Sequence, residues 1–393
     1  MTRTLIFLCN AIDDVTRIER AIVTDSPAAS RKVFLSSRAV RLTGVRTFVL
    51  SLGRGRQDGS GRRFSWAVRR VAGVPVVYLP FVHRRFLSEL VSLLAPVLAL
   101  WRFRRFDRNS TVVFYNRLAA YVPALFAARF FRFHTVLALE DGEIVPDRLF
   151  AGLGRYLLRA LFDSMCSGGA LLACSKLEQM TTLRPTLNFY GTCEPHLDKT
   201  LDWRAQALTV LMCGTISYET GASILAEAIR ILRAEKPAWC ERIEFEITGK
   251  GSHILDFEHL AQDTSVPKVT AHGRLTDVEY KALLKRSHVG LALKLNAGDL
   301  ADTTFPSKVT EFASAGILVL TTDISDVRKL MGRNAIYLEE DEPRLLLERL
   351  RWVVENRVCS EQLAREGAKA IWARCAPNIA GNLLVDFLFG PNK

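Results

Sequence analysis

The sequence predicts an α/β protein made of two doubly wound parallel-sheet domains, and three observations lead to this fold class. The chain has 393 residues, which is too long for one ordinary core and suits two domains. Its 49% hydrophobic and 24% charged residues are typical of a folded globular protein. Short apolar runs alternate with helix-like stretches in both halves, a pattern that forms parallel sheets covered by helices.

The first half opens with a predicted βαβ unit. Residues 4–10 form its first strand, residues 27–43 a helix closed by Gly44, and residues 45–52 its second strand. The stretch 54–70, rich in Gly, Arg and Ser, predicts a long mobile loop. Further short strands are predicted at residues 76–79, 111–115, 135–139 and 170–174.

The second half repeats the scheme. Its predicted strands are residues 208–213, 243–248, 269–272, 289–293 and 317–320, with a helix at residues 224–234. The periodicity lapses at residues 195–205, where we expect the linker. This divides the chain into domains at 1–195 and 206–375, and no period of 20 to 50 residues indicates a repeat protein.

The positive charge belongs to the first half alone. Residues 1–200 hold 29 Lys and Arg against 15 Asp and Glu, whereas residues 201–393 hold 24 against 26. The arginines cluster at positions 54–56, 62–63, 69–70, 84–85 and 102–108. We expect no nucleic-acid partner, since the chain has neither zinc-ligand spacing nor an RNP signature. An anionic lipid or lipid diphosphate accounts for the charge equally well.

An apolar segment lies between the last two arginine clusters. Residues 86–101 read FLSELVSLLAPVLALW, which at sixteen residues falls short of the roughly 20 needed to span a bilayer. With arginines at both ends, the segment is typical of a helix that lies on an anionic membrane surface. The alternative is a core helix packed on the first sheet. We therefore predict membrane contact through residues 84–108.

Eight cysteines are scattered without a C-x-x-C pair, and several lie in strand-like runs. They are predicted to be reduced core thiols, which favours a cytoplasmic compartment. The apolar run near the start is only six residues long before Asn10, so it predicts a buried strand and no signal peptide. Together with the basic segment, this predicts a cytoplasmic protein on the inner face of the membrane.

Residues 303–322, TTFPSKVTEFASAGILVLTT, are the most informative stretch. Pro306 suits the first turn of a helix, and Ser307 can help to satisfy the free N–H groups there. Such a helix start attracts anions. Lys308 and Glu311 are three residues apart and leave one helix face, which suits a phosphate and sugar hydroxyls respectively. The alternative is a surface ion pair that binds nothing.

This segment resembles the donor-binding segment of GT-B glycosyltransferases, where P-x-K-x-x-E-x-x-x-x-G-x-P-V is common. Within that class, the chain resembles the group 1, family 4-like enzymes of bacterial polysaccharide synthesis. The resemblance implies an interdomain cleft and a nucleotide-sugar donor, and a tail at residues 376–393 that packs back on the first domain. Glu311 would bind ribose, and Lys308 the diphosphate. The implied donor-binding residues are Gly214, Lys250, Gly273, Arg274, Leu275, Thr303, Thr304, Pro306, Ser307, Lys308 and Glu311.

Two departures from the family pattern change how the charges are used. The acid common eight residues before the second glutamate is Thr303 here, and the basic pair of G-R-x-x-x-x-K-G is replaced by Thr215 and Thr220. Lys308 is therefore expected to carry more of the phosphate binding, with Lys250 or Arg274 in support. The stereochemical outcome is left open, and His253 and His272 are further candidates that are more often structural.

Catalysis is expected from the first domain. Residues 140–143, EDGE, follow a predicted strand and so lie at a carboxyl strand end. Asp141, with Glu140 as the second candidate, would take the proton of the acceptor hydroxyl; the alternative is that these acids cap or solvate a helix. Asn10, Asp13 and Arg17 are the candidate acceptor-binding residues, although loop acids are commonly only solvated.

The sequence therefore predicts a glycosyltransferase that moves a sugar from a UDP- or GDP-sugar to an acceptor, a lipid-linked saccharide in exopolysaccharide, capsule or lipopolysaccharide synthesis. No cofactor is expected, and no metal, because no D-x-D or histidine cluster has ligand spacing. Two alternatives remain open. One is a nucleotide-sugar epimerase on the same fold, and the other is a non-catalytic protein that binds sugar nucleotides or serves polysaccharide assembly.

Overall fold

A computed structural model of the chain describes residues 3–105, 110–142, 149–194, 201–295 and 303–390. The chain divides into two compact domains. The first domain comprises residues 1–192 and 376–393, and the second comprises residues 193–375. Some positions named in the sequence analysis lie outside the described residues. They are Glu143, Pro146, residues 106–108 of the last arginine cluster and residues 195–200 of the predicted linker.

The first domain is an α/β layer structure with an eight-stranded sheet. Its strands are β1 (Thr4–Cys9), β2 (Arg46–Ser51), β3 (Arg63–Phe64), β4 (Ala67–Val71), β5 (Val74–Tyr78), β6 (Phe81–Val82), β7 (Ser110–Tyr115), β8 (His134–Leu139), β9 (Ala170–Leu172) and β10 (Thr186–Asn188). Its helices in the N-terminal part of the chain are α1 (Asp14–Glu19), α2 (Pro27–Leu42), α3 (Arg85–Phe103), α4 (Val122–Phe130) and α5 (Leu149–Met165).

The order of the large sheet is β10-β9-β8-β7-β1-β2-β5-β4. Every pair in it is parallel except β4, which runs antiparallel to β5 at the edge. The buried central strands, such as the fully buried TLIFLC of β1, are the apolar runs that a sheet covered on both faces requires. The chain changes direction between β1 and β7, so the carboxyl ends of these two strands flank the switch point of the sheet.

The prediction of a long loop at residues 54–70 is partly wrong. Strand β3 pairs with β6, and the stretch from Ala67 begins the antiparallel edge strand β4. Arg20, buried to 2% exposure, donates to the carbonyls of Gly53 and Leu79 and so ties this region to α1. The polar composition of the stretch hid strands whose side chains are only half covered.

Helix α3 is longer than the apolar run suggested. It has 19 residues, from Arg85 to Phe103, and it continues through Pro96. Among the described helices it alone is long and apolar enough to cross a membrane, by length and composition only. The prediction that the segment is too short to span a bilayer is therefore wrong. One side of α3 nevertheless packs against β6 and α4 within the first domain.

The second domain has a six-stranded, wholly parallel sheet of order β13-β12-β11-β14-β15-β16. Its strands are β11 (Leu208–Thr215), β12 (Ile243–Lys250), β13 (Val269–Ala271), β14 (Val289–Ala292), β15 (Leu318–Thr322) and β16 (Ile336–Leu338). Its helices are α6 (Ala222–Glu235), α7 (Ile254–Gln262), α8 (Asp277–Arg286), α9 (Ser307–Ser314), α10 (Val327–Met331), α11 (Pro343–Glu355) and α12 (Arg357–Cys375).

After α12 the chain returns to the first domain as α13 (Pro377–Phe389). This helix packs along α2 so closely that a Cβ at Gly381 would lie 2.4 Å from the carbonyl oxygen of Ala39. Leu384, Val385 and Leu388 are buried in the core of the first domain. The last helix is therefore a structural part of that domain.

The cysteines are all free thiols, and seven of the eight are buried, as expected for core residues. Cys359 is the exception, since it is exposed on α12. Burial raises the pKa of Cys9, Cys166 and Cys193 to about 12, so these three stay protonated at neutral pH.

Candidate functional site

The second domain has a topological switch point between β11 and β14. The chain proceeds from β11 outward through β12 and β13, and then returns to the other side of β11 as β14. Loops that leave the carboxyl ends of two such strands diverge and leave a crevice, which is where parallel α/β sheets bind ligands. The residues after β11 and β14 are therefore the first to consider.

Glycines bring the backbone very close together at the end of β11. Gly214 has φ +105°, and a Cβ at its neighbour Gly249 would lie 1.9 Å from the Gly214 carbonyl oxygen. A Cβ at Gly251 would lie 2.1 Å from the carbonyl oxygen of Ile216. The Gly249 N–H and the Thr248 hydroxyl both donate to the Gly273 carbonyl, at 2.8 and 2.7 Å. The strand ends form a compact platform in which the backbones meet at glycines.

Helix α9 begins beside this platform. Pro306 is its N-cap and makes no side-chain capping hydrogen bond, and Ser307 is the first helical residue. The predicted capping role of Ser307 is thus corrected, since the capping position belongs to proline, which has no hydroxyl. After the helix ends, Gly316 takes φ +69° and the Ile317 N–H donates to the Phe312 carbonyl at 3.0 Å, so Gly316 terminates the helix.

Lys308 and Glu311 lie together at the carboxyl end of β11. The Lys308 Nζ lies 2.6 Å from Glu311 Oε2, and both side chains are largely buried, with 23% and 15% of their surfaces exposed. The Tyr280 hydroxyl lies 3.0 Å from Glu311 Oε1, 3.1 Å from Lys308 Nζ and 3.1 Å from Cys213 Sγ. A Cβ at Gly214 would lie 3.3 Å from Lys308 Cε, so the lysine stem crosses the glycine. The two charges belong to one network at the end of β11.

A second lysine lies at the end of β14. Lys294 donates from Nζ to the hydroxyl of Thr304, and its backbone N–H donates to Thr322 Oγ1 at 3.1 Å. Thr303 and Thr304 are themselves buried, with 9% and 5% exposure. These threonines precede α9 directly, so Lys294, Thr304 and the start of α9 occupy the same edge of the sheet.

The other predicted donor-binding residues line the neighbouring strand ends. Lys250 is half-buried at the end of β12, where its carbonyl accepts from the Ile216 N–H at 2.9 Å. Gly273 follows β13 with φ +62°, and no atom lies within 4 Å of the Cβ position there. Arg274 is exposed and Leu275 half-buried. These positions lie along one edge of the sheet, where Lys308 and Glu311 also contact each other.

The two histidine candidates differ. His272 contacts the carboxylate of Glu246, which also accepts from Arg286 at 2.9 Å, so His272 belongs to a structural ion-pair group beside β12 and β13. His253 lies 3.0 Å from Ser252 Oγ at the start of α7. Neither arrangement has the geometry of a metal site, and no group of three or more His, Cys, Asp or Glu in the described ranges is placed to hold a metal ion.

The carboxylates predicted for catalysis follow β8 in the first domain. Glu140 lies 2.6 Å from Lys32 Nζ, with 16% and 13% of these side chains exposed. Burial raises the pKa of Glu140, and the Lys32 ammonium opposes that rise. The Glu140 N–H donates to Asn116 Oδ1 at 2.9 Å, and a small cavity lined partly by Tyr115 and Phe189 adjoins the pair. Asp141, in contrast, is exposed.

The three residues predicted to bind the acceptor are engaged within the protein. The Asn10 side-chain amide brackets the Arg54 backbone, donating to its carbonyl at 2.9 Å and accepting from its N–H at 3.0 Å. Asp13 Oδ1 accepts from the Tyr78 hydroxyl at 2.7 Å. Arg17 Nε donates to Asp14 Oδ1 at 3.0 Å. These contacts shape the loop after β1, and acceptor binding by the three residues stays a prediction.

Three residues of these networks were missed by sequence reasoning. Lys32 lies in α2 and meets Glu140 across 108 positions of sequence, a pairing that no local pattern signals. Tyr280 lies in α8, one residue after the capping-box glutamate, and reads as a surface helix residue. Lys294 offered a signal, because it directly follows a predicted strand and therefore had to lie at a carboxyl strand end.

Comparison with known proteins agrees with this geometry. Residues 207–356 match the family model described as "Glycosyl transferases group 1". Anabaena HepE, solved in complex with UDP, superposes with a TM-score of 0.68 at 13% identity, with 99% of each chain covered. The α,α-trehalose 6-phosphate synthase of Burkholderia multivorans gives 0.63 at 11% identity, covering 99% of this chain and 96% of that one. The sucrose-phosphate synthase of Thermosynechococcus elongatus gives 0.66 at 12% identity, with 96% of each chain covered. No curated protein sequence matches the chain.

The architecture of two Rossmann-like domains is therefore GT-B, as the sequence predicted, and the family match indicates a glycosyltransferase. The match to the group 1 glycosyltransferases covers residues 207–356 of the second domain. That stretch begins just before β11 and ends just after α11, so it contains the platform, Tyr280, Lys294, Lys308 and Glu311.

Proposed function

We propose that this glycosyltransferase transfers a sugar from a UDP-sugar to a lipid-linked saccharide at the surface of a membrane. The observation that carries the donor site is the network of Lys308, Glu311 and Tyr280 beside the glycine platform. A carboxylate suits the paired hydroxyls of a ribose, and an ammonium beside a helix start suits phosphate oxygens. In the free protein Lys308 and Glu311 contact each other. A bound nucleotide would contact Glu311 through its ribose and Lys308 through its phosphates.

The proposal of UDP over GDP draws on the similar structures. HepE was solved with UDP, with UDP and glucose, and with UDP-glucose. Its fold extends over 99% of the present chain, although at 13% identity the likeness concerns the fold alone. UDP is therefore the first nucleotide to test, and GDP is the comparison.

We further propose that the acceptor is lipid-linked, and helix α3 carries this part of the proposal. Its side toward the domain consists mainly of small residues, among them Ser88, Ser92, Ala95 and Ala99. Its large apolar side chains face solvent instead: the exposed fractions are 81% for Phe86, 44% for Leu90, 53% for Leu94, 54% for Leu98 and 42% for Trp101. A helix packed only for a soluble core would show the reverse distribution.

The neighbouring helices also expose large apolar side chains. Helix α4 packs on α3 and exposes Phe126 by 53% and Phe130 by 82%. Helix α5 packs on α4 and exposes Leu153, Tyr156 and Leu157 by more than half of their surface. Three adjacent helices therefore expose more large apolar side chains than is usual for the surface of an ordinary monomer.

Arginines at the edges of this surface complement an anionic membrane. Arg84 and Arg85 are exposed where α3 begins, and Arg102, Arg104 and Arg105 are exposed where it ends. The Arg104 guanidinium lies 4.6 Å from the centre of the Trp101 ring, so the charge and the aromatic side chain occupy one site. Arginines at headgroup level with Trp and Phe below them are the arrangement of helices that lie in a membrane surface. The proposed location is the cytoplasmic face of the membrane.

For catalysis, we propose that Asp141 accepts the proton of the acceptor hydroxyl while the nucleoside diphosphate leaves. Support comes from its exposure at the end of β8, one residue after the Lys32–Glu140 pair. Glu140 already holds the Lys32 ammonium, so its role in this scheme is to position the loop. Asp141 is the first candidate and Glu140 the second, as in the sequence analysis.

Radiolabelled sugar transfer tests the proposed function. UDP-glucose and other UDP-sugars, with GDP-mannose as comparison, are incubated with the protein and a membrane lipid extract, and label is followed into the organic phase. The proposal expects label in a lipid-linked product and its loss with Glu311→Ala. Label found only in soluble products, or an epimerised nucleotide sugar, would contradict the lipid-linked acceptor.

A further inference from the structure

The segment from Gly214 to Gly221 carries no lysine or arginine, yet it is the turn that follows the central strand β11. Its side chains are neutral except that of Glu219, which is an acid, so the turn itself supplies no positive charge to a phosphate. Lys308 reaches the start of this turn, since its stem lies against Gly214. The end of the turn would have to obtain its charge from another loop.

The loop after β14 lies directly against that end. A Cβ at Gly221 would lie 2.7 Å from the Cβ of Leu293, and the Leu295 N–H donates to the Glu219 carbonyl at 3.1 Å. The residue between these two contacts is Lys294. The backbone of Lys294 is therefore fixed on both sides beside the end of the Gly214–Gly221 turn.

Lys308 and Lys294 both contact side chains in or directly before α9. Lys308 contacts the carboxylate of Glu311 at 2.6 Å, and this pair together has no net charge. Lys294 donates to the hydroxyl of Thr304, a neutral group in the segment that leads into α9. The turn itself carries the exposed carboxylate of Glu219, whose pKa is lowered chiefly by a hydrogen bond with Ser217 and further by His253 and Lys294. A bound diphosphate therefore needs more positive charge than Lys308 supplies.

We propose that Lys294 binds the diphosphate of the donor, together with Lys308. In this arrangement the Gly214–Gly221 turn has one ammonium at each end, and each ammonium binds one phosphoryl group. The inference deepens the proposed function and rests on it. It assigns to the loop after β14 a ligand contact that residues 303–322 alone do not provide.

Calorimetric titration with UDP and, by competition, with uridine tests the inference. The variants are Lys294→Met, Lys294→Arg and the control Lys268→Met, which removes an exposed lysine before β13, at the opposite end of the sheet. Loss of a charge-assisted contact predicts that Lys294→Met binds UDP about 10- to 100-fold more weakly while uridine binding is unchanged. Lys294→Arg should recover most of the affinity, and Lys268→Met should remain within about twofold of the wild type.

The outcomes separate the two levels of the proposal. Equal UDP affinity of Lys294→Met and the wild type would overturn the role of Lys294, as would an equal loss of UDP and uridine binding, which indicates a packing role. If the wild type binds neither UDP nor GDP, the proposed donor site itself fails. If GDP is the ligand, the same comparison is made with GDP and guanosine.

Discussion

Tyr280 is the residue that holds the donor network together. Its hydroxyl contacts Glu311, Lys308 and Cys213 at 3.0 to 3.1 Å. We expect Tyr280→Phe to weaken UDP binding only about fivefold, because the Lys308–Glu311 pair remains and one neutral hydrogen bond contributes about 1 kcal/mol. Glu311→Ala should weaken it about 100-fold, since the ribose contact is lost and Lys308 loses its partner. Isothermal titration calorimetry measures both, and equal effects of the two substitutions would contradict the assigned roles.

The Lys32–Glu140 pair gives the first domain a defined dependence on pH. Because burial raises the pKa of Glu140, its contribution to stability is present below the ordinary pKa of about 4.5 and is lost as the pH rises through the folded-state pKa. Lys32 limits this loss by favouring the ionised form. In Lys32→Met the pKa of Glu140 rises further, so the variant should lose stability as the pH rises from 4.5 to 7.5.

Urea unfolding of wild type and Lys32→Met across this pH range measures the effect. The difference in the free energy of unfolding should be small at pH 4.5 and reach about 3 kcal/mol at pH 7.5, the size typical of a broken buried ion pair. The double variant Lys32→Met/Glu140→Gln should show no such trend. A difference that stays constant with pH would show that Lys32 acts by packing alone.

At the scale of the elements, the close approach of the backbones at the ends of β11 and β12 requires glycine. Gly249 has φ +143°, and a Cβ there would lie 1.9 Å from the Gly214 carbonyl oxygen. Gly249→Ala should destabilise the second domain by about 4 kcal/mol, through backbone strain and overpacking combined. Gly316→Ala is the matched control, because it has φ +69° with no atom within 4 Å, and should cost about 1 kcal/mol. Similar losses of stability in urea would contradict the close-approach argument.

The exposed side of α3 should govern membrane binding. We expect the triple variant Phe86→Ser/Leu94→Ser/Trp101→Ser to bind vesicles of anionic lipid at least about tenfold more weakly, since each large side chain no longer inserts. The fold should be unaffected, because all three side chains are exposed. Cosedimentation with vesicles measures the loss.

A matched triple variant controls for surface hydrophobicity in general. Leu255→Ser/Val278→Ser/Val358→Ser changes three side chains of the second domain that are 60%, 79% and 80% exposed. It should bind the vesicles as the wild type does. Binding that depends on neither set, or that is equally strong on neutral lipid, would count against the docking surface.

At the scale of the whole molecule, one domain is formed by a continuous stretch of the chain and the other by two separate stretches. The second domain is continuous from Cys193 to Cys375, whereas the first requires α13, which returns after it. Unfolding should therefore be treated as that of a multidomain protein and not as a single two-state transition. A nucleotide that binds the second domain acts first on the stability of that domain.

The fold class and most strands were predictable because their apolar runs are local and regular. Leu208 to Cys213 and Val289 to Leu293, for example, lie at the strands found. The edge strand at Ala67 was missed because only one of its sides is partly buried. Its arginines have the polar pattern that is typical of a loop. The meeting of Lys308 with Glu311 could be predicted from helix spacing. Those of Lys32 with Glu140 and of Tyr280 with Glu311 depend on tertiary packing, which no local pattern records.

Thermal unfolding in the presence of nucleotide sugars tests the central claim most directly. A ligand that binds only the folded state raises the apparent stability by about 2.7 kcal/mol at a concentration of 100 times its Kd. We predict that a UDP-sugar raises the unfolding temperature of the wild-type protein and that Glu311→Ala removes most of the rise. If no UDP- or GDP-sugar raises the unfolding temperature, or if Glu311→Ala responds as the wild type does, the assignment of the donor site is contradicted.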